Sequence, residues 1–311
     1  MNTLFFKYAI EVDRTRSITQ AAENLFMAQP NLSKAIKEVE DTLGFDIFER
    51  TSKGVIPTAK GNIFLEYAKN IVSQLDKMEA IADYDNESIQ KFSVSIPRCS
   101  YISKGITLFA AELDQEKGID LNIQETNSVQ AVNNIVDGKF NLGIIRYQVA
   151  HEQYFQDFLA EKQLCSDMIW EFEYLVLMSR SHKLANEPVV NTDDLRHSIE
   201  IVHGDTVIPY LSLGKDKAQP GKSLRKRIYL YERGNQFELL SNILETFMWV
   251  SPIPKDMLGR FSLVQRKCDF PGNKYKDMLI YQKGYHFSEL DKRFIDKIYA
   301  SKNEVSFKEY N

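Results

Sequence analysis

The chain has 311 residues, of which 43% are hydrophobic, 26% charged and 12% aromatic, too many for one ordinary core and suited to two or three compact units, with no sign of disorder. A formal net charge of -4 gives no bulk attraction to nucleic acid or to an anionic membrane, so contact with either needs a local basic patch. Cys99, Cys165 and Cys268 are widely spaced, which excludes a disulfide framework or a cysteine-rich zinc site and suits a reducing cytoplasm; no stretch has the character of a signal peptide or a membrane span.

The first 83 residues carry a helical pattern. Leu4, Tyr8 and Val12 form one apolar face, Ala21, Ala22 and Leu25 a second, and Leu32, Ile36, Val39 and Leu43 a third. Ser17 and Gln20 have capping-box spacing at the start of the second helix. Pro30 suits the opening of the third, which Gly44 ends. Ala28 and Gln29 are poor caps, so that helix start keeps N–H groups that a phosphate can satisfy. Arg50 to Thr58 has a glycine between β-formers, which predicts a short hairpin ending at a helix capped by Thr58. Between Arg50 and Lys60 lie three bases, Arg50, Lys53 and Lys60, and no acid. From Ala59 to Ala82 a long helix follows. In it Phe64, Ala68, Ile71, Leu75, Met78 and Ala82 alternate spacings of four and three, the pattern of a dimerising coiled-coil seam or of one face of a bundle. Residues 84–91 are polar and read as a hinge.

Beyond residue 91 short β-rich runs alternate with helical ones. Phe92 to Ile96, Ile119 to Glu125 and Leu142 to Arg146 are predicted strands separated by helices, which gives a parallel sheet. A second lobe starts near Phe172, with strands at Tyr174 to Met178, Ile199 to His203 and Ile228 to Tyr231, then a helix from Phe237 to Leu244. A strand at Met278 to Tyr281 and a closing helix from Glu289 to Ala300 return the chain to the first lobe.

Ala21-Ala22, Leu25, Gln29-Pro30-Asn31-Leu32-Ser33-Lys34-Ala35-Ile36, Val39-Glu40, Leu43-Gly44, Ile47-Phe48, Arg50, Thr58 and Gly61 together resemble the DNA-binding domain of LysR-type transcriptional regulators. Ala28 departs from a common serine cap. The resemblance implies an α + α/β chain: a winged helix-turn-helix at 1–61, a linker and dimerisation helix at 58–83, a hinge at 84–91 and an effector-binding domain at 92–311. That domain resembles periplasmic solute-binding proteins and has lobe I at about 92–165 and 270–311, with lobe II at about 166–269. The helix from Pro30 then enters the major groove of double-stranded DNA with Gln29, Asn31, Ser33, Lys34 and Lys37, while Arg50 and Lys53 meet phosphates. A homodimer, or a tetramer as a dimer of dimers, reads an inverted-repeat operator and influences RNA polymerase.

In such a fold ligands sit at the carboxyl ends of the strands. That places Arg98, Cys99, Ser100, Thr126, Asn127, Arg146, His203 and Thr206 at a cleft for a small effector, with Arg146 suited to a carboxylate; helix capping is the competing role for Ser100, Thr126 and Asn127. The sequence contains no G-x-S-x-G, H-E-x-x-H, G-x-x-x-x-G-K-[ST] or G-x-G-x-x-G, so neither an enzyme nor a cofactor or metal site is expected.

Overall fold

The computed structural model describes residues 2–51, 54–82, 89–205, 226–268, 270 and 272–306. The chain divides into two compact units, Met1–Glu87 with Val136–Lys139, and Ser88–Ile135 with Phe140–Asn311.

In the first unit, α1 (Leu4–Thr15), α2 (Ile18–Asn24) and α3 (Gln29–Leu43) precede a hairpin of β1 (Phe48–Thr51) and β2 (Gly54–Pro57), and α4 (Ala59–Ala82) follows. Their apolar faces meet in one core that includes Ala9, Val12, Ala21, Leu32, Ile36, Val39, Ile47 and Phe64. Each fully buried aliphatic side chain of this kind contributes about 1.5–3 kcal/mol. Ser17 does cap α2, its Oγ accepting from the Gln20 N–H at 3.3 Å. The reciprocal half of the expected box is absent, because the Gln20 amide turns outward to Glu23 and Asn24. Gly44 ends α3 at φ 73°, a left-handed conformation that glycine adopts without a Cβ clash.

The hairpin is fixed from both sides. Glu40 of α3 accepts the N–H groups of Ile47 and Phe48 at 2.8 and 3.1 Å, and the Arg16 carbonyl accepts from the Val55 N–H at 2.9 Å. Thr58 caps α4 by accepting from the Gly61 N–H at 2.9 Å. A Cβ on Gly61 would lie 1.9 Å from the Ile47 carbonyl oxygen, so only glycine allows the hairpin and α4 to approach this closely.

In the second unit, lobe I contains β3 (Ile89–Ile96), α5 (Ser100–Ala111), β4 (Gly118–Glu125), α6 (Ser128–Val136), β5 (Leu142–Gln148), α7 (Glu152–Glu161) and β6 (Leu164–Glu173). Lobe II contains β7 (Leu175–Ser179), β8 (Ile199–His203), β9 (Arg227–Leu230), α8 (Gln236–Asn242), β10 (Thr246–Val250), α9 (Lys255–Arg260) and β11 (Leu263–Arg266). The chain returns to lobe I through β12 (Lys274–Gln282) and α10 (Glu289–Ser306).

The lobe I sheet has the order β4-β3-β5-β12-β6, in which β3 runs parallel to β4 and β5 while β12 runs antiparallel to β5 and β6. The lobe II sheet has the order β11-β7-β10-β8-β9. Two boundaries move from their expected places. The strand opening lobe I starts at Ile89, so residues 89–91 belong to the sheet and not to a hinge. Lobe I also keeps 166–173, because β6 pairs with β12 from Leu164 to Glu173; the lobes part at Tyr174.

Candidate functional site

On α3 the apolar stripe Leu32, Ala35, Ile36 and Val39 is buried, which turns the rest of the helix outward. Asn31, Lys34 and Lys37 are exposed and Gln29 and Ser33 half-buried, while Arg50 is exposed on β1. Ala28 supplies no side-chain cap, so the α3 start presents N–H groups beside this polar face. The face is not uniformly basic, since Lys34 and Lys37 share a shallow groove with Glu38 and Asp41. Lys53 lies outside the described residues.

The expected seam of α4 needs correction. Phe64, Leu65 and Ala68 are buried in the core of the first unit, Phe64 with its ring 6.0 Å from that of Phe6, because the opening turns of α4 pack on α1. The outward apolar stripe is instead Ile63, Tyr67, Ile71 and Met78, all exposed. Ile71 and Met78 thus keep their expected exposure, Leu75 is half-buried, and the side chain of Ala82 lies outside the described set.

A cavity of about 50 Å³ lies between the lobes of the second unit, and Arg98, Cys99, Ser100, Arg146 and His203 line it as expected from the strand ends. Thr126 and Asn127 do not. The Thr126 N–H donates to the Ile96 carbonyl at 2.8 Å, and Asn127 caps α6 by accepting from the Gln130 N–H at 2.9 Å. Thr206 is outside the described residues. Tyr174, Arg233, Gln236, Ser251 and several apolar side chains complete the lining. The strand-end rule that selects Arg146 would also have selected Arg233, which follows β9.

Arg146 does meet a carboxylate, but an internal one. Its Nε and Nη2 donate to Asp277 at 2.7 Å each, Nη1 donates to Ser251 at 3.1 Å and Nη2 to the Cys99 sulfur at 3.0 Å. Asp277 is 0% exposed and also accepts from the Tyr101 hydroxyl at 2.6 Å. Burial works against the charge on Arg146, yet Asp277 outweighs it and raises the guanidinium well above its ordinary range. Burial and then Asp277 push the Tyr101 hydroxyl up. Arg146 therefore enters the cleft as one half of a neutral pair.

The other two arginines bridge the lobes. Arg98 of lobe I donates to both Asp205 oxygens at 2.9 and 3.0 Å and to the Tyr231 carbonyl at 2.8 Å. Arg233 of lobe II donates to Glu125 at 2.7 Å, to Ser100 at 2.8 Å and to Ser103. Burial, then the neighbouring Arg98, lowers the pKa of His203 to about 4, so its imidazole is neutral at pH 7.

An outward polar helix framed by a hairpin, followed in the chain by a two-lobed α/β unit with a cleft, defines a winged helix-turn-helix fold with an appended two-lobed α/β fold. Residues 5–62 match the family model described as bacterial regulatory helix-turn-helix protein, lysR family. A probable RuBisCO transcriptional regulator of Phaeodactylum tricornutum is 26% identical over 186 residues, which are 58% of this chain and 57% of that protein. The chain thus spans just over half the length of that curated relative. The solved fold of a point variant of full-length OxyR from Pseudomonas aeruginosa is similar with a TM-score of 0.58 at 16% identity, over 96% of this chain and 98% of that one. That of full-length LysG from Corynebacterium glutamicum, with bound effector Arg, is similar with a TM-score of 0.59 at 13% identity, over 98% and 99%. Residues 5–62 are thus similar to the regulatory helix-turn-helix of the lysR family, and the two solved chains share the fold of this one. Among the described residues, no helix is long and apolar enough to cross a membrane.

Proposed function

We propose that this protein is a cytoplasmic, homo-oligomeric transcription regulator that binds an inverted-repeat operator and responds to a small effector in its inter-lobe cleft. The observation that carries this reading is α3, whose apolar stripe is buried while Asn31, Lys34 and Lys37 are exposed and Gln29 and Ser33 half-buried beside them, within a segment matching the lysR helix-turn-helix. Gln29 and Asn31 pair with base edges, Lys34 with guanine or phosphate, and Arg50 with backbone phosphate. Lys53 is proposed for the same backbone role on its sequence position.

The exposed stripe Ile63, Tyr67, Ile71 and Met78 on α4 supplies the dimer contact, with half-buried Leu75 beside it. A dimer presents two α3 helices to half-sites about 34 Å, or a multiple, apart, and two dimers form the tetramer. An effector that binds one arrangement of the lobes better than another shifts the population of arrangements, and the altered DNA complex changes access by RNA polymerase.

The test is a footprint of the full chain on its own upstream intergenic DNA at several salt concentrations. Wild type protects an inverted repeat, with affinity falling steeply as salt rises. Gln29→Ala with Lys34→Ala loses protection while remaining folded. Absence of protection by the folded wild type at low salt would refute the regulator reading.

A further inference from the structure

The cavity between the lobes is lined by Arg98, Arg146 and Arg233, and each already has a carboxylate of this chain: Asp205, Asp277 and Glu125 respectively. The positive and negative groups therefore cancel among the described residues. The carboxylates stand outside the lining, so a ligand in the cavity meets guanidiniums whose charges are already balanced from behind, and an added anion gains less from them than from an unpaired arginine. The Asp277 pair is closed to exchange with such an anion, being buried and locked by Tyr101, and an uncompensated charge left in such a place is strongly destabilising.

A second observation points to what is missing. Gln236 lines the same cavity and is 4% exposed, and its Oε1 is buried with no hydrogen-bond partner. Nearly all buried acceptors in folded proteins are satisfied by protein or bound solvent, so this oxygen calls for a donor from a molecule in the cavity. The volume of about 50 Å³ gives room for roughly three water-sized groups, and Met248 and Ile253 add apolar wall.

Resting on the cleft reading above, we infer that the cleft takes an electroneutral ligand of a few heavy atoms, such as a small primary amide, that donates a hydrogen bond to Gln236 Oε1. The amide hydrogens satisfy the orphan oxygen and its methyl or similar group meets the apolar wall. An isosteric carboxylate has no donor and adds a charge to a site whose charges are already paired among the described residues.

The test is saturation-transfer NMR on the full chain with acetamide and acetate, two probes of equal size. Acetamide should bind with a Kd at least tenfold below that of acetate. Gln236→Leu should weaken acetamide at least tenfold, with the melting curve verifying the fold. Asp205→Asn, which leaves Gln236 untouched and frees the charge of Arg98, should tighten acetate at least tenfold. Wild-type binding of acetate as tight as that of acetamide, no binding of either probe, or acetamide binding indifferent to Gln236→Leu would each overturn the inference. Ser251→Trp separates this from the cleft reading. Acetate binding that it abolishes would keep the cleft and overturn its neutrality, whereas probe binding that it leaves unchanged would overturn the cleft itself.

Discussion

At the residue scale the decisive unit is Arg146 with Asp277. Both are nearly or wholly buried, 9% and 0% exposed, so removing one charge leaves the other without water or counter-ion. Asp277→Asn should destabilise the second unit by about 3–5 kcal/mol, read as a lower urea midpoint, whereas Asp277→Leu with Arg146→Met should recover much of that loss. A double variant no more stable than Asp277→Asn would show that the surrounding bonds to Ser251, Cys99 and Tyr101 matter more than the charge itself. Arg146 was legible in the sequence because it stands at the end of a predicted strand. Asp277 was not, since it lies 131 residues away and comes into contact only through the antiparallel pairing of β12 with β5, which nothing local encodes. Gln236 was hidden for the same reason: its importance comes from an unsatisfied atom, a property of packing.

At the scale of elements, α3 and α4 were legible almost to the residue and the start of α2 at its cap, because helical periodicity, capping residues and a glycine stop agree there, while α1 showed only its apolar face. What spacing could not decide was which apolar stripe of α4 faces its own core. Periodicity marks an apolar face and does not say what covers it. The stripes Phe64–Ala68 and Ile63–Tyr67–Ile71–Met78 overlap in sequence, and the packing of α1 assigns the first inward. This division is testable. Ile71→Glu places a charge on the exposed stripe and should shift the protein from dimer to monomer in sedimentation, raising the dimer Kd at least tenfold with the helical signal kept. Ala68→Glu forces a charge into the core and should unfold the first unit instead. If Ile71→Glu leaves the dimer intact, α4 does not supply the contact. In the second unit α7 and β6 went unrecognised, because Glu152 to Glu173 mixes charges with aromatics and lacks a clean period. Missing β6 is what misplaced the lobe boundary.

At the scale of the whole molecule, the cleft couples protonation to stability through His203, which faces Arg98, Asp205 and Arg233. Its pKa is lowered from 6.5 to about 4, chiefly by burial and next by Arg98. Above pH 6.5 neither the folded nor the unfolded chain holds the proton, and the effect is absent. Between the two values the unfolded chain binds a proton that the folded one refuses, so stability falls as the pH falls, and below the lower value the loss is complete. At pH 5 that loss is about 2 kcal/mol. Fluorescence is a fitting probe, because the two tryptophans, Trp170 and Trp249, both lie in the second unit. Urea midpoints of the wild type should therefore drop between pH 7.5 and 5, and His203→Gln should flatten the drop by about this amount. His182, also lowered by burial, leaves a residual slope of the same sign in both proteins. An unchanged slope in His203→Gln would mean that acid acts elsewhere, whereas the flattening expected here would tie the closed cleft to a neutral imidazole, in keeping with a site whose charges are already balanced.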